Sequence, residues 1–499
     1  MKNKILKITA VITAVLVLVL CFAGCTSITG ENDTANTANE QGESQEISGE
    51  EAEEVAEESG KTEDDYFSNR DLDPSYDESE AVNIKLNDTT ATADGSGVTV
   101  NGSVITVTAE GIYVISGKLS DGQIIVNAGD EDKVQLVLDG VDITNDDSAC
   151  ILVKNADKTF ITLAEGSTNT LADTGSEYVQ QSDYDKTVDG VIFSSNDLVF
   201  NGSGSLTIKA GYKHAVVSKD DLKVTGGTYN ITATGKGFTA NDSIRISDGT
   251  FTVNSTDDAF HVSSAETADV GYMYVAGGKF TVKTDDDGLH CTSQMIIDGG
   301  TFDITASEGI EGTSVTINDG DITISASDDG INAASKSTYY NPEIIINGGK
   351  ITISMGQGDT DAVDSNGSIT VNGGTIYITA QSAFDYETTG TINGGTVTVN
   401  GEQITEMTNQ MMGGGMPGKN QDGMQPGMEG DGQNGFSGKG PRGGNGDSTG
   451  SGSFPGGERP EMPDMSNQGD MKTPPDMGNG NTGNPGSMNL ADNVVSAAA

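Results

Sequence analysis

The sequence predicts an all-β fold, a parallel β-helix in which one chain coils and stacks its short strands turn upon turn. Three observations predict it. Glycine-containing pairs recur at Gly226-Gly227, Asp248-Gly249, Gly277-Gly278, Gly299-Gly300, Asp319-Gly320, Gly348-Gly349, Gly373-Gly374 and Gly394-Gly395, 20 to 29 residues apart. Each pair is followed by an alternating strand, as in Thr250-Phe251-Thr252-Val253, Lys279-Phe280-Thr281-Val282, Thr301-Phe302-Asp303-Ile304, Lys350-Ile351-Thr352-Ile353 and Thr396-Val397-Thr398-Val399, one face apolar and the other polar. No stretch between residues 80 and 400 shows helical period. A repeat of about 20–25 residues made of short strands reads as a solenoid, in which no turn buries its own face and the stack supplies the core.

The elements follow in chain order. Residues 1–30 carry a net charge of +3 from Lys2, Lys4 and Lys7, which precede the apolar run Ile8 to Phe22. A basic start, an apolar stretch and small residues describe a secretory signal rather than a spanning helix. Residues 31–80 carry −17, and acid runs such as Glu50-Glu51-Ala52-Glu53-Glu54 repel each other and bury nothing. An extended, disordered tether over 25–79 is expected. Residues 80–400 hold the repeat, less regular from Val82 to Ile208, where Val134-Gln135-Leu136-Val137-Leu138 and Phe160-Ile161-Thr162-Leu163 are the clearest strands. A second strand precedes each glycine pair, as in Ile344-Ile345-Ile346 and Ile369-Thr370-Val371. Residues 401–499 hold 11 of the 15 Met and nine of the 11 Pro, mixed with Gly, Asn and Gln, and form a low-complexity tail. Met clusters can ligate Cu(I), but no regular Met spacing appears there.

Composition excludes some functions. The 499 residues include 75 acids and 26 bases, a net charge of −49, which argues against nucleic acid as a partner. Four Cys make no disulfide framework, and Cys150 and Cys291 lie turns apart, so two free buried thiols are expected. With 5% aromatic residues and no Trp, a core of stacked rings is not expected.

The candidate chemistry is acidic. At one phase of successive turns an acid precedes a polar residue by three: Asp258 with His261, Asp287 with His290, Glu308 with Glu311, Asp329 with Asn332, and Asp361 with Asp364. The steps from Asp258 to Asp329 track the turn length, so these acids should form a vertical column, with Asp361 a weaker member in a longer turn. Asp257, Asp285, Asp286 and Asp328 flank it. Carboxylates stacked about 4.8 Å apart repel by roughly 3–4 kcal/mol per pair at an effective dielectric of 20. Cations between them would relieve this, and hard oxygen ligands favour Ca²⁺. Zn²⁺ would want His and Cys together, which His261 and His290 lack. The metal candidates are therefore Asp257, Asp258, Asp286, Asp287, Glu308, Glu311, Asp328, Asp329, Asn332, Asp361 and Asp364, for several Ca²⁺ ions. Further candidates for ligand contact are His261, His290, Arg245, Tyr339 and Tyr340, the two tyrosines lying in one of two long turns near Ser264–Tyr272 and Ser335–Asn341. The long turns should stand roughly 14 Å apart and wall a groove over the acids. A ladder of outward residues, Thr252, Thr281, Asp303, Thr323, Thr352, Tyr377 and Thr398, offers a flat, regular hydrogen-bonding face.

Two resemblances add to this. Phe22-Ala23-Gly24-Cys25 resembles a bacterial lipoprotein signal, with Phe22 in place of the commoner Leu. It implies removal of residues 1–24, a lipid on Cys25, and anchoring at the extracellular face of the bacterial cell membrane through that lipid alone. Glu308-Gly309-Ile310-Glu311-Gly312 and Asp328-Asp329-Gly330-Ile331-Asn332-Ala333 resemble the clostridial cell-surface carbohydrate-binding β-helix family, related in fold to pectate lyases. Asp257-Asp258-Ala259-Phe260-His261 and Asp286-Asp287-Gly288-Leu289-His290 fit the same motif, as do Gly111-Ile112-Tyr113 and Leu138-Asp139-Gly140-Val141. The family implies a right-handed parallel β-helix over 80–400, bound calcium, and binding of polysaccharide, both cellulose and acidic sugars such as polygalacturonate. Around Lys213 the motif departs, with His214 where Gly is expected. An enzymatic alternative is β-elimination of polygalacturonate, needing a base such as Arg245, Lys213, Lys236, Lys283 or Lys336. A third reading is a structural surface adhesin. A monomer that binds polysaccharide is expected.

Overall fold

The computed structural model describes residues 63–409, apart from 181, 183, 358 and 359. The signal, Cys25, the tether to residue 62 and the tail from 410 lie outside the described residues. Parallel strands stack in a 25-stranded and a 13-stranded sheet among the described residues. Each turn of the regular region contributes three strands, and each strand pairs with its counterpart one turn on. One turn runs through Thr228–Ala233, Phe238–Ala240 and Ser243–Ile246, and the next through Thr250–Ser255, Phe260–Val262 and Tyr272–Val275. Three ladders result, of about six, three and four residues per strand. The sequence anticipates the six- and four-residue ladders; the three-residue ladder is an addition.

The local causes are visible in the repeat. The second glycine of each pair takes positive φ, as at Gly278 (+107°) and Gly300 (+110°), which turns the chain between two ladders without a Cβ clash. Alternation then puts Phe280, Val282, Phe302 and Ile304 inside and Thr281 and Asp303 outside. In the acidic motif, Gly309 is required by crowding. A Cβ there would stand 2.4 Å from the Gly330 carbonyl one turn on.

The core corrects one expectation. Although aromatic residues are few, they fall in register, and Tyr229, Phe251, Phe280 and Phe302 form a stacked column with centroid separations of 5.1, 4.8 and 4.5 Å. Phe238 and Phe260 form a second stack at 5.1 Å. Outside, side-chain amides form a ladder in which Asn393 donates to Asn372, Asn372 to Asn347, Asn347 to Asn318 and Asn318 to Asp298. Cys150 and Cys291 are free and buried.

The tether boundary is also corrected. Residues 63–79 are not an extended spacer. Helices α1 (Glu63–Tyr66) and α2 (Asn69–Leu72) lie against the coil, with Tyr66, Phe67 and Asp71 buried. Antiparallel pairings lie at both ends of the described coil, Ile84 to Asn87 with Thr90 to Ala93, Val98 to Asn101 with Val104 to Val107, and Val397 to Val399 with Glu402 to Ile404.

Candidate functional site

The acids do stack. Backbone N–H groups of Ala259, Gly288, Gly309 and Gly330 donate to the carbonyls of Asp287, Glu308, Asp329 and Asp361, so Asp258, Asp287, Glu308, Asp329 and Asp361 occupy one phase. Asp361 is a full member despite its longer turn, and Ser382 continues the phase. A second column lies three residues on, carried by the three-residue ladder: His261 pairs with His290, His290 with Glu311, Glu311 with Asn332, Asn332 with Asp364, and Asp364 with Asp385. Asp385 had no place among the sequence candidates. Its signal is Ser382-Ala383-Phe384-Asp385, where Ser replaces the leading acid.

The double column divides by charge. In its upper part protein cations meet the acids. Lys236 Nζ contacts Asp257 at 2.6 Å and Asp258 at 2.5 Å. His261 Nδ1 lies 2.5 Å from Asp258 Oδ2, without the alignment of a hydrogen bond. His290 Nδ1 is 3.0 Å from Asp287 and 3.6 Å from Asp258, and its Nε2 is 3.4 Å from Glu311. Lys336 Nζ, from the long turn one turn on, pairs with Glu311. Burial alone would raise the Asp258 carboxyl, but His261, His290 and Lys236 hold it far below the usual carboxylate range. Burial opposes protonation of His290, yet Asp258 and Asp287 raise it to about 9. Burial lowers His261. Asp286, exposed at the mouth of the site, is raised to about 6 by partial desolvation and by the Asp258 and Asp287 charges.

In the lower part the donors are oxygens. Burial, then Glu311, raises Glu308 to about 8. Burial with Asp364, Asp328 and Asp361 nearby raises Asp329 to about 7, and burial with Asp385 and Asp361 raises Asp364 to about 6. Asn332 donates to Glu308 at 3.0 Å, while its Oδ1 and the Oδ1 of Asp385 are buried without a hydrogen-bond partner. The Asp361 N–H donates to Asp329 at 3.2 Å.

Three convergent sets have ligand atoms within 4.8 Å of one another: Asp257, Asp258 and Asp286; Asp258, His261 and His290; and Asp287, His290 and Glu311. The histidines therefore sit among the candidate metal ligands rather than apart from them. An open groove of about 500 Å³ runs beside the acids, lined by Lys283, Asp285, Ser307, Ser327 and Met355 among others.

The long turns do not stand apart as separate walls. Tyr339 Oη donates to the Glu266 carbonyl and Tyr340 Oη to the Ala268 carbonyl, each at 2.8 Å, so the turns meet, and Lys336 of the second turn reaches Glu311. The Tyr hydroxyls are engaged there, although the Tyr339 side chain stays 42% exposed. Arg245 points outward as expected, but it lies beneath the segment of α1 and α2. It pairs with Asp221 at 2.9 Å, donates to the Tyr66 carbonyl and stacks on Tyr272. It is not part of the acidic site. Thr252, Thr281, Asp303, Thr323, Thr352, Tyr377 and Thr398 do align on the outer face of the six-residue ladder.

Comparison with known proteins adds to this geometry. A solved structure, the polysaccharide lyase-like protein from C. thermocellum in its gadolinium derivative, is 26% identical and aligns with 66% of this chain and 98% of its own, with a TM-score of 0.39. A carbohydrate-binding domain-containing protein of Acetivibrio thermocellus is 38% identical over 156 residues, 30% of this chain, and the match spans about half, 54%, of that relative's length. The family model described as carbohydrate-binding domain-containing protein matches residues 101–362, more than half of the 499 and inclusive of the column from Asp257 to Asp361. The chain belongs to this family of carbohydrate-binding domain-containing proteins.

Proposed function

We propose that this chain is a lipid-anchored cell-surface protein that binds plant-type polysaccharide through a calcium-loaded, right-handed parallel β-helix. Acidic chains such as polygalacturonate and neutral cellulose are the proposed ligands. The observation that carries the reading is the oxygen-only lower part of the double column. Glu308, Asp329, Asn332, Asp361, Asp364 and Asp385 crowd there without a protein cation, and two of their buried oxygens lack partners. That donor set fits a hard cation and is costly without one.

The fit is not uniform along the column. Among the described residues the converging all-carboxylate set is Asp257, Asp258 and Asp286, in the upper part, but Lys236 already neutralises two of them. The lower part is therefore the better calcium site. Bound there, the ion would supply positive charge that a sugar carboxylate could share. The residues themselves hold the cation, and the groove beside Asp285, Ser307 and Ser327 holds the chain. Cellulose would lie on the Thr ladder, whose hydroxyls repeat at strand spacing.

Binding is favoured over β-elimination because three of the five candidate bases are committed elsewhere, whereas Lys283 lines the groove and is the base that the product assay tests. Arg245 is paired with Asp221 under the N-terminal segment, Lys236 with Asp257 and Asp258, and Lys336 with Glu311. A pull-down on polygalacturonate and on cellulose, with a calcium titration, tests the reading. Calcium-dependent retention on polygalacturonate and calcium-independent retention on cellulose are expected. Failure to bind either sugar ends it, and accumulation of an unsaturated, ultraviolet-absorbing product replaces it with a lyase.

A further inference from the structure

The segment Tyr66–Leu72 lies along a face that differs in character from the rest of this acidic molecule. Outward residues of successive strands align there as Gln135, Phe160, Val199, Lys223, Arg245, Tyr274 and Ile296. The strip is about 29 Å long at the strand spacing. Lys158 flanks it. Phe160, Val199 and Tyr274 lie outside the coil's interior cluster, yet each is at most 1% exposed.

The segment covers the strip by matching each part of it. Tyr66 stacks on Tyr274 with centroids 3.7 Å apart, and Phe67 packs beside it. Arg70 lies over Phe160 and donates to Gln135. Asp71, fully buried, places one carboxylate oxygen 3.3 Å from Lys158 and the other 3.0 Å from Lys223. Lys158 also meets Asp197, and Arg245 meets Asp221. For Lys223, Asp71 is the acid in contact.

We infer that this strip is a second, calcium-independent binding face for a carboxylate-bearing polysaccharide, and that Tyr66–Leu72 occupies it as an internal stand-in. Asp71 takes the place of a sugar carboxylate, and Tyr66 the place of a sugar ring on Tyr274. The physical reason is the buried lysine. Leaving Lys223 covered without an anion is costly, so whatever displaces the segment must bring a negative group to that point. Aromatic residues before and after the cations supply stacking surface. The hold on the segment is all tertiary, because two four-residue helices have no stability of their own. It is also intramolecular, with an effective concentration in the millimolar range, so only a chain carrying repeated carboxylates competes. At the far end the cleft beyond Leu72 is lined by Asp73, Glu78, Asp139 and Glu165, which confines an anionic ligand to the strip itself.

The inference rests on the family's carbohydrate binding but not on calcium, so the test is run on the full chain in EDTA. Hydrogen exchange of the amides of residues 66–72 in the wild-type protein should speed up when an oligogalacturonate is added, and not when a neutral cello-oligosaccharide is. The double variant Tyr66→Ala/Phe67→Ala loosens the segment and should tighten oligogalacturonate binding roughly ten-fold or more, by raising the uncovered fraction. Adding Lys223→Gln should abolish the gain. Unchanged exchange in the wild-type protein overturns the inference even if the variants fail to fold. So does displacement of the segment by polyglutamate but not by the sugar, which would make the face a peptide-docking surface. Calcium-dependent binding without any EDTA-resistant binding would defeat this inference and leave the proposed function standing.

Discussion

At His290 one imidazole meets three carboxylates, those of Asp258, Asp287 and Glu311. Its position in the sequence, three residues after Asp287, marked it as part of the motif. Two of the three partners, Asp258 and Glu311, come from the turns on either side, so its role was not legible from one turn. The consequence is a pH dependence with a definite sign. With His290 raised from 6.5 to about 9, the folded chain holds a proton that the unfolded chain releases, so the contribution is complete below 6.5 and lost as pH rises through 9. Glu308, raised to about 8, and Asp329, raised to about 7, have the same sign, since the fold favours their protonated forms. Metal-free protein should therefore melt at progressively lower temperature from mildly acid to alkaline pH, and His290→Gln should flatten the alkaline part of that fall. A melting temperature that climbs over the same range would contradict the assignment. Calcium should restore stability more at about pH 8 than at acid pH, because the ion competes with protons for the same oxygens.

The ladder is the element on which stability depends. Phe280 lies between Phe251 and Phe302 in the ring column at 4.8 and 4.5 Å, so Phe280→Ala leaves a cavity bounded by two turns. A loss of about 3–5 kcal/mol is expected, read as a shift of the urea midpoint. Asn347, which donates to Asn318 and accepts from Asn372 on the surface, is a contrast. Asn347→Ala should cost only about 1 kcal/mol, because water replaces the lost amides. The six-residue strands were legible because alternation over six residues is unambiguous. The three-residue strands were not, since triplets such as Phe260-His261-Val262 and Leu289-His290-Cys291 are shorter than any period that could be counted. Their column of polar centres, which carries half of the candidate site, appears only when turns of unequal length are stacked.

At the scale of the whole molecule one strand edge is closed off, while Ser382–Tyr386 and Thr389–Ile392 end their ladders with no further strand among the described residues. The last parallel strand, Thr396–Val399, is covered by the antiparallel Glu402–Ile404. An uncovered edge of this kind is a template for pairing with another chain. Deleting residues 400–409 should convert a monodisperse protein into higher-order species, visible by light scattering. An unchanged particle size would show that the hairpin has no such role. The proposed calcium is tested at this scale too. EDTA should lower the melting temperature of the calcium-loaded protein by many degrees, because a repulsive column spanning several turns loses its counter-charge together, and no change would end the calcium reading. What the sequence by itself determined is the repeat, and with it the stacked strands, the inward and outward faces and the phase of the acids. These depend on local alternation and on glycine turns that recur at similar spacing. The tertiary structure decided the neighbours across turns and across distant segments. Lys236 and Lys336 neutralise the upper acids and leave the lower ones bare, and Asp71 reaches Lys223 across 152 residues. No local pattern encodes those pairings, because they depend on how many residues each intervening turn contains and on which face the returning chain covers.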